Sequence, residues 1–104
     1  MIIAFDFDGV LTDIRMQIFA KKMRVERHEV WIITARRNNE YNKKIVEPIL
    51  EKIGLFEGMV IYTDEKPKRE YLKGLNADIY IDNIPDEINT INNYTNTIAL
   101  LWQS

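Results

Sequence analysis

Cysteine is absent from the 104 residues. That excludes disulfides and thiolate metal sites, and nothing points to an oxidising compartment. Proline and glycine are sparse, at three and four residues, and there is no repeat, low-complexity tract or linker between domains. No apolar run is long enough to span a bilayer, and the apolar opening is too short for a secretion signal before it meets acids. An excess of one charge is also missing. Fourteen Lys and Arg against sixteen Asp and Glu leave a formal net charge of −2, so no global pull toward nucleic acid or membrane is expected. These absences lead us to expect a soluble, cytoplasmic protein with no membrane partner. The length fits one domain over 1–104, and 46% hydrophobic residues suit a packed core rather than disorder.

Short apolar runs alternate with helix-like stretches, as in an α/β fold with a parallel sheet and crossover helices. The pattern predicts strands near 2–7, 29–34, 58–63, 78–82 and 97–102, with helices near 13–25, 39–53, 67–74 and 85–93. Tyr41, Ile45, Ile49 and Ile53 recur every four residues and Gly54 ends that helix. Pro48 falls inside it and predicts a kink. Pro67 and Pro85 suit first-turn positions of the last two helices.

Ligands of an open parallel sheet gather beyond the carboxyl ends of its strands. The first strand ends in Asp6-Phe7-Asp8-Gly9, the second in Thr34-Ala35-Arg36, the third in Thr63-Asp64-Glu65-Lys66-Pro67, and the fourth in Asp82-Asn83-Ile84-Pro85-Asp86. Two carboxylates two residues apart at the mouth of a buried strand repel unless a cation or a shared proton lies between them. Asp6, Asp8 and Asp82 are hard oxygen ligands suited to Mg²⁺, and a metal with a lysine would let an anionic nucleophile approach a phosphate. The set suits phosphoryl transfer.

The run Asp6-Phe7-Asp8-Gly9-Val10-Leu11-Thr12-Asp13 resembles the first motif, DxDGxx(T/V), of the haloacid dehalogenase (HAD) superfamily. Ile32-Ile33-Thr34-Ala35-Arg36 resembles its second motif, and Tyr80-Ile81-Asp82-Asn83 its fourth, with Asp86 in DxxxD spacing. The resemblance covers essentially the whole chain. It implies a Rossmann-like five-stranded sheet of order 5-4-1-2-3 with helices on both faces, and a Mg²⁺-dependent phosphatase acting through an aspartyl-phosphate. By that resemblance Asp6 is the nucleophile and Asp8 the general acid and base, while Thr34 donates to the phosphoryl group. The Asp6 carboxylate, the Asp8 carbonyl and Asp82 hold the metal. Many members carry a second aspartate where Asn83 stands, which predicts weaker metal binding unless Asp86 compensates. Lys66, directly after the third strand, is the favoured phosphate-binding lysine. Lys68, in the first helical turn, is its alternative, and Lys73 lies too far along. Gly9, Ala35, Arg36 and Lys68 are the expected substrate contacts.

Neither usual insertion point has room for a cap domain, so the resemblance implies a capless member. An uncovered site suits a bulky substrate, such as a nucleotide or a nucleic-acid end, or a site covered by a second copy of the chain. Arg36, Arg37, Lys68 and Arg69 are the candidate basic rim for such a polyanion. Two other functions stay open. A receiver-type domain would accept phosphate on Asp64, but it would need a hydroxyl after the fourth strand and a lysine after the fifth. A degenerate binding module is motivated by Asn83 and the missing cap. His28, at the opposite edge, reads as surface or packing.

Overall fold

The computed structural model describes residues 1–103. Strand β1 spans Ile2–Phe5, β2 Glu29–Thr34, β3 Val60–Tyr62, β4 Ile79–Asp82 and β5 Ile98–Leu101; helix α1 spans Ile14–Val25, α2 Glu40–Ile53, α3 Lys68–Leu75 and α4 Pro85–Tyr94. The sheet is entirely parallel. Its order is β3-β2-β1-β4-β5, which read from the other edge is 5-4-1-2-3.

Side chains alternate across a strand, and the two cores follow that alternation. Ile3, Phe5, Val30, Ile32 and Ile81 face α1 and α2, packing with Met16, Ala20, Val46, Leu50 and Ile53. Ala4, Ile33, Tyr80 and Ala99 face α3 and α4, packing with Leu72 and Ile91. Because β1 lies between β2 and β4, its residues after Ile2 are buried, Ala4 and Phe5 fully so. Asp6 falls in phase with Ala4, on the α3 and α4 side. Its own N–H still bonds Ile81 O at 2.9 Å, so the ladder fixes Asp6 although β1 has ended.

The structure refines the expected boundaries. β1 stops at Phe5 because the chain enters a wide turn over 7–11, closed by Thr12 N–H donating to Phe7 O and Asp13 N–H to Val10 O. Thr12 Oγ1 accepts the Gly9 N–H at 3.0 Å, and Asp13 accepts the Arg15 N–H at 2.9 Å to cap α1. The last two letters of the DFDGVLTD run therefore shape the turn and start the helix. Helix α2 runs through Pro48 and ends at Gly54 in the left-handed region, φ 87°. Pro67 precedes α3, whereas Pro85 is the first residue of α4.

The outer edge of β5 is covered by one side chain. Asn92 of α4 accepts the Ala99 N–H at 2.8 Å and donates to Ala99 O at 3.1 Å, as a neighbouring strand would. A side-chain amide in that place blocks pairing with another chain at the centre of β5. Among the described residues no helix is long and apolar enough to cross a membrane.

Candidate active site

The carboxyl ends of β1 and β4 bring Asp6 and Asp82 together, and Lys68 joins them from the first turn of α3. Lys68 Nζ donates to Asp6 Oδ1 at 2.6 Å and to Tyr80 OH at 2.8 Å, and lies 3.5 Å from Asp82 Oδ2. Tyr80 OH donates onward to Asp82 Oδ2 at 2.5 Å. All four side chains are buried. Asp82 Oδ1 accepts the N–H groups of Asn83 and Ile84 at 2.7 and 3.2 Å.

Burial pushes the Asp6 carboxyl up to about 7, with Lys68 pulling it back and Asp82 adding to the rise. Burial also holds the Tyr80 phenol well above its ordinary range, with Asp6 and Asp82 reinforcing the effect. Tyr80 therefore stays a hydrogen-bond donor to Asp82. Strand alternation carries its placement: Tyr80 lies two residues before Asp82, so both face α3. Tyr80→Phe leaves Lys68 and Asp82 each one partner short at unchanged volume, and is expected to cost about 1–3 kcal/mol in denaturant unfolding. Unfolding like that of the parent would contradict this bridging role.

The lysine expectation changes. Lys68 meets the carboxylates, whereas Lys66 is exposed and makes no ion pair among the described residues. The physical reason is the turn after β3. Asp64 and Glu65 both take positive φ, 53° and 66°. Their N–H groups bond Arg36 O and Ala35 O, so the chain folds back over β2 and α3 starts only at Lys68.

Asp8 divides its functions. Its carboxylate takes a bidentate pair with Arg36, Nε to Oδ2 at 3.0 Å and Nη2 to Oδ1 at 2.9 Å, while its carbonyl stays beside Asp6 and Asp82. Arg36 is itself held by Asn42, whose Oδ1 accepts Nη1 at 2.8 Å. Thr34 is fully buried, and its hydroxyl accepts the Arg36 N–H at 3.2 Å. Asp86 is exposed in the first turn of α4.

Asn83 also belongs to the cluster. One end of its side-chain amide lies 3.2 Å from Asp82 Oδ1 and 3.3 Å from both Asp6 Oδ2 and Asp8 O. Gly9 makes room for it. At φ 81° the glycine has no side chain, and a Cβ there would stand 2.1 Å from the outward end of the Asn83 amide. No three Asp, Glu, His or Cys side chains converge as a metal cluster among the described residues, because the Asp8 carboxylate is turned to Arg36. Two carboxylate oxygens, one main-chain carbonyl and one amide nevertheless meet at a point. Neighbouring ligands of an octahedral Mg²⁺ stand about 3 Å apart, so this donor set fits a hard divalent cation.

Beside the cluster, between the starts of α3 and α4, opens a cavity of about 540 Å³ whose walls include Ala35, Lys66, Lys68, Asp82, Ile84 and Thr90. The candidate basic rim is largely paired within the protein. Arg36 meets Asp8, Arg37 meets Asp64 at 3.2 Å, Lys68 is in the cluster, and Arg69 stacks over Tyr94 at 5.3 Å. No model of a known protein family matches the chain, and no curated protein matches it.

Proposed function

We propose that this chain is a phosphoric monoester hydrolase of haloacid dehalogenase type, dependent on a divalent cation such as Mg²⁺. The observation that carries the reading is the meeting of Asp6, the Asp8 carbonyl, Asp82 and Lys68 beyond the carboxyl ends of adjacent parallel strands, beside an open cavity. Asp6 Oδ2, Asp8 O and Asp82 Oδ1 would hold the cation. Bound there, it supplies the positive charge that lets a carboxylate approach an anionic phosphate.

The chain's own residues supply the rest. Lys68 orients the Asp6 carboxylate by holding Oδ1 and offsets part of its charge. An Asp6 oxygen attacks phosphorus as the bond to the leaving oxygen breaks, and that oxygen takes a proton that Asp8 has picked up from solvent on one oxygen while the other keeps its bond to Arg36. Asp8 then takes a proton from water, whose oxygen attacks the same phosphorus, and the bond to Asp6 breaks to return the carboxylate and release phosphate. The substrate class is a phosphomonoester whose leaving group lodges in the open cavity.

Arg36 sets where the Asp8 carboxylate stands. Arg36→Ala is expected to lower kcat about tenfold, because an untethered acid spends less time aligned, with a smaller effect on KM. An unchanged kcat would remove Arg36 from the catalytic geometry.

The receiver reading fits less well. Asp64 is exposed and paired with Arg37, and it follows β3, which β2 separates from β1 by about 10 Å across the sheet. Repeated turnover of an aryl phosphate that starts with Mg²⁺ and stops on chelation tests the hydrolase. Failure of every phosphomonoester in a panel of nucleotides, sugar phosphates and phosphorylated oligonucleotides would contradict it.

A further inference from the structure

The inward end of the Asn83 amide faces three acceptors and no donor. Asp6 Oδ2, Asp8 O and Asp82 Oδ1 all lie within 3.3 Å of the inward end of its amide. Only two arrangements satisfy that geometry. With Nδ2 inward, the two N–H bonds of the amide are shared among the three oxygens, of which Asp82 Oδ1 already accepts two main-chain N–H groups, and the oxygens are bridged without any ion. With Oδ1 inward, four oxygens face one another, and a cation between them is required to offset their repulsion. The two arrangements differ by a half-turn of one terminal amide, which leaves the backbone in place.

We propose that Asn83 is a two-position member of this cluster, bridging the three oxygens through Nδ2 when no cation is present and ligating through Oδ1 when one is bound. The inference rests on the cation site of the preceding reading and adds the metal-free state. It also gives the amide a use that a carboxylate at this position lacks. Aspartate would add a third anion beside Asp6 and Asp82 with nothing to donate, so a metal-free protein would be held together less well. Gly9 serves both positions, because any side chain there would displace the amide.

The test is a Mg²⁺ titration of the ¹⁵N-labelled full chain, reading the assigned side-chain NH₂ pair of Asn83. A large, saturable shift of that pair, with slowed NH₂ exchange before metal is added, is the expected result. Alongside it, Asn83→Asp is expected to bind Mg²⁺ about tenfold more tightly and to melt several degrees lower in chelator. Mg²⁺ binding with an unmoved Asn83 pair overturns the inference and leaves the cation site standing. Absence of any saturable shift at about 10 mM Mg²⁺, well above the affinity useful to an enzyme, overturns both.

Discussion

Replacing Asp6 with Asn is expected to abolish turnover while making the metal-free protein more stable at neutral and alkaline pH. The first effect follows from the nucleophilic role proposed for Asp6, and a fall of about 10,000-fold in kcat is the expected size. The second follows from proton linkage. In the folded chain burial holds the Asp6 carboxyl near 7, above its ordinary value of 3.8. A raised carboxyl favours folding fully below its unfolded pKa, and that contribution is lost as pH rises from about 4 through about 7. Above that range the folded state carries a buried carboxylate beside Asp82, only partly offset by Lys68. Asparagine keeps an oxygen for Lys68 and carries no charge. Urea unfolding in chelator at about pH 8 should therefore find Asp6→Asn more stable by roughly 2 kcal/mol, with the gap closing near pH 4. A variant that is both inactive and less stable at each pH would show that Asp6 holds the fold together rather than being strained for chemistry.

The second large effect separates two lysines that lie two residues apart. Lys68→Met keeps the length and apolar stem of the side chain but removes the cation between Asp6 and Asp82. It leaves two buried carboxylates without their counter-charge, and about a thousandfold loss of kcat is expected. Lys66→Met removes an exposed cation from the cavity wall, and no more than about threefold in kcat/KM is expected. Comparable losses in both variants would mean that the turn over residues 63–67 rearranges on substrate binding to bring Lys66 inward.

That pair of lysines marks where the sequence stopped being readable. Strands of a parallel sheet are covered on both faces and read as continuous apolar runs, so Ile2–Phe5, Val30–Ile33 and Ile79–Ile81 revealed both the strands and the edge at which Asp6 and Asp82 appear. The lysine depended instead on how the chain leaves β3. Asp64 and Glu65 both take positive φ with no glycine to signal it, and hydrogen bonds to Ala35 and Arg36 hold them there. Those bonds exist only once β2 and β3 are paired, so local sequence carries no trace of them. The Arg36–Asp8 pair has the same character, joining residues 28 positions apart across two strand ends. Arg36 and Arg37 look alike as a basic run, yet folding turns one to the acid of the first motif and the other to an exposed acid after β3. Asn83 reads as an aspartate lost from a familiar pattern. Only the fold shows that three oxygens surround the inward end of its amide.

The most direct test asks where the phosphoryl group goes. The full chain is mixed with Mg²⁺ and a good phosphomonoester, quenched within one turnover and treated with borohydride, which reduces an aspartyl-phosphate to homoserine. Homoserine at position 6, formed only when Mg²⁺ is present and absent after chelation, is the predicted result. Hydrolysis that leaves no homoserine, or homoserine at position 64 in its place, would contradict the account.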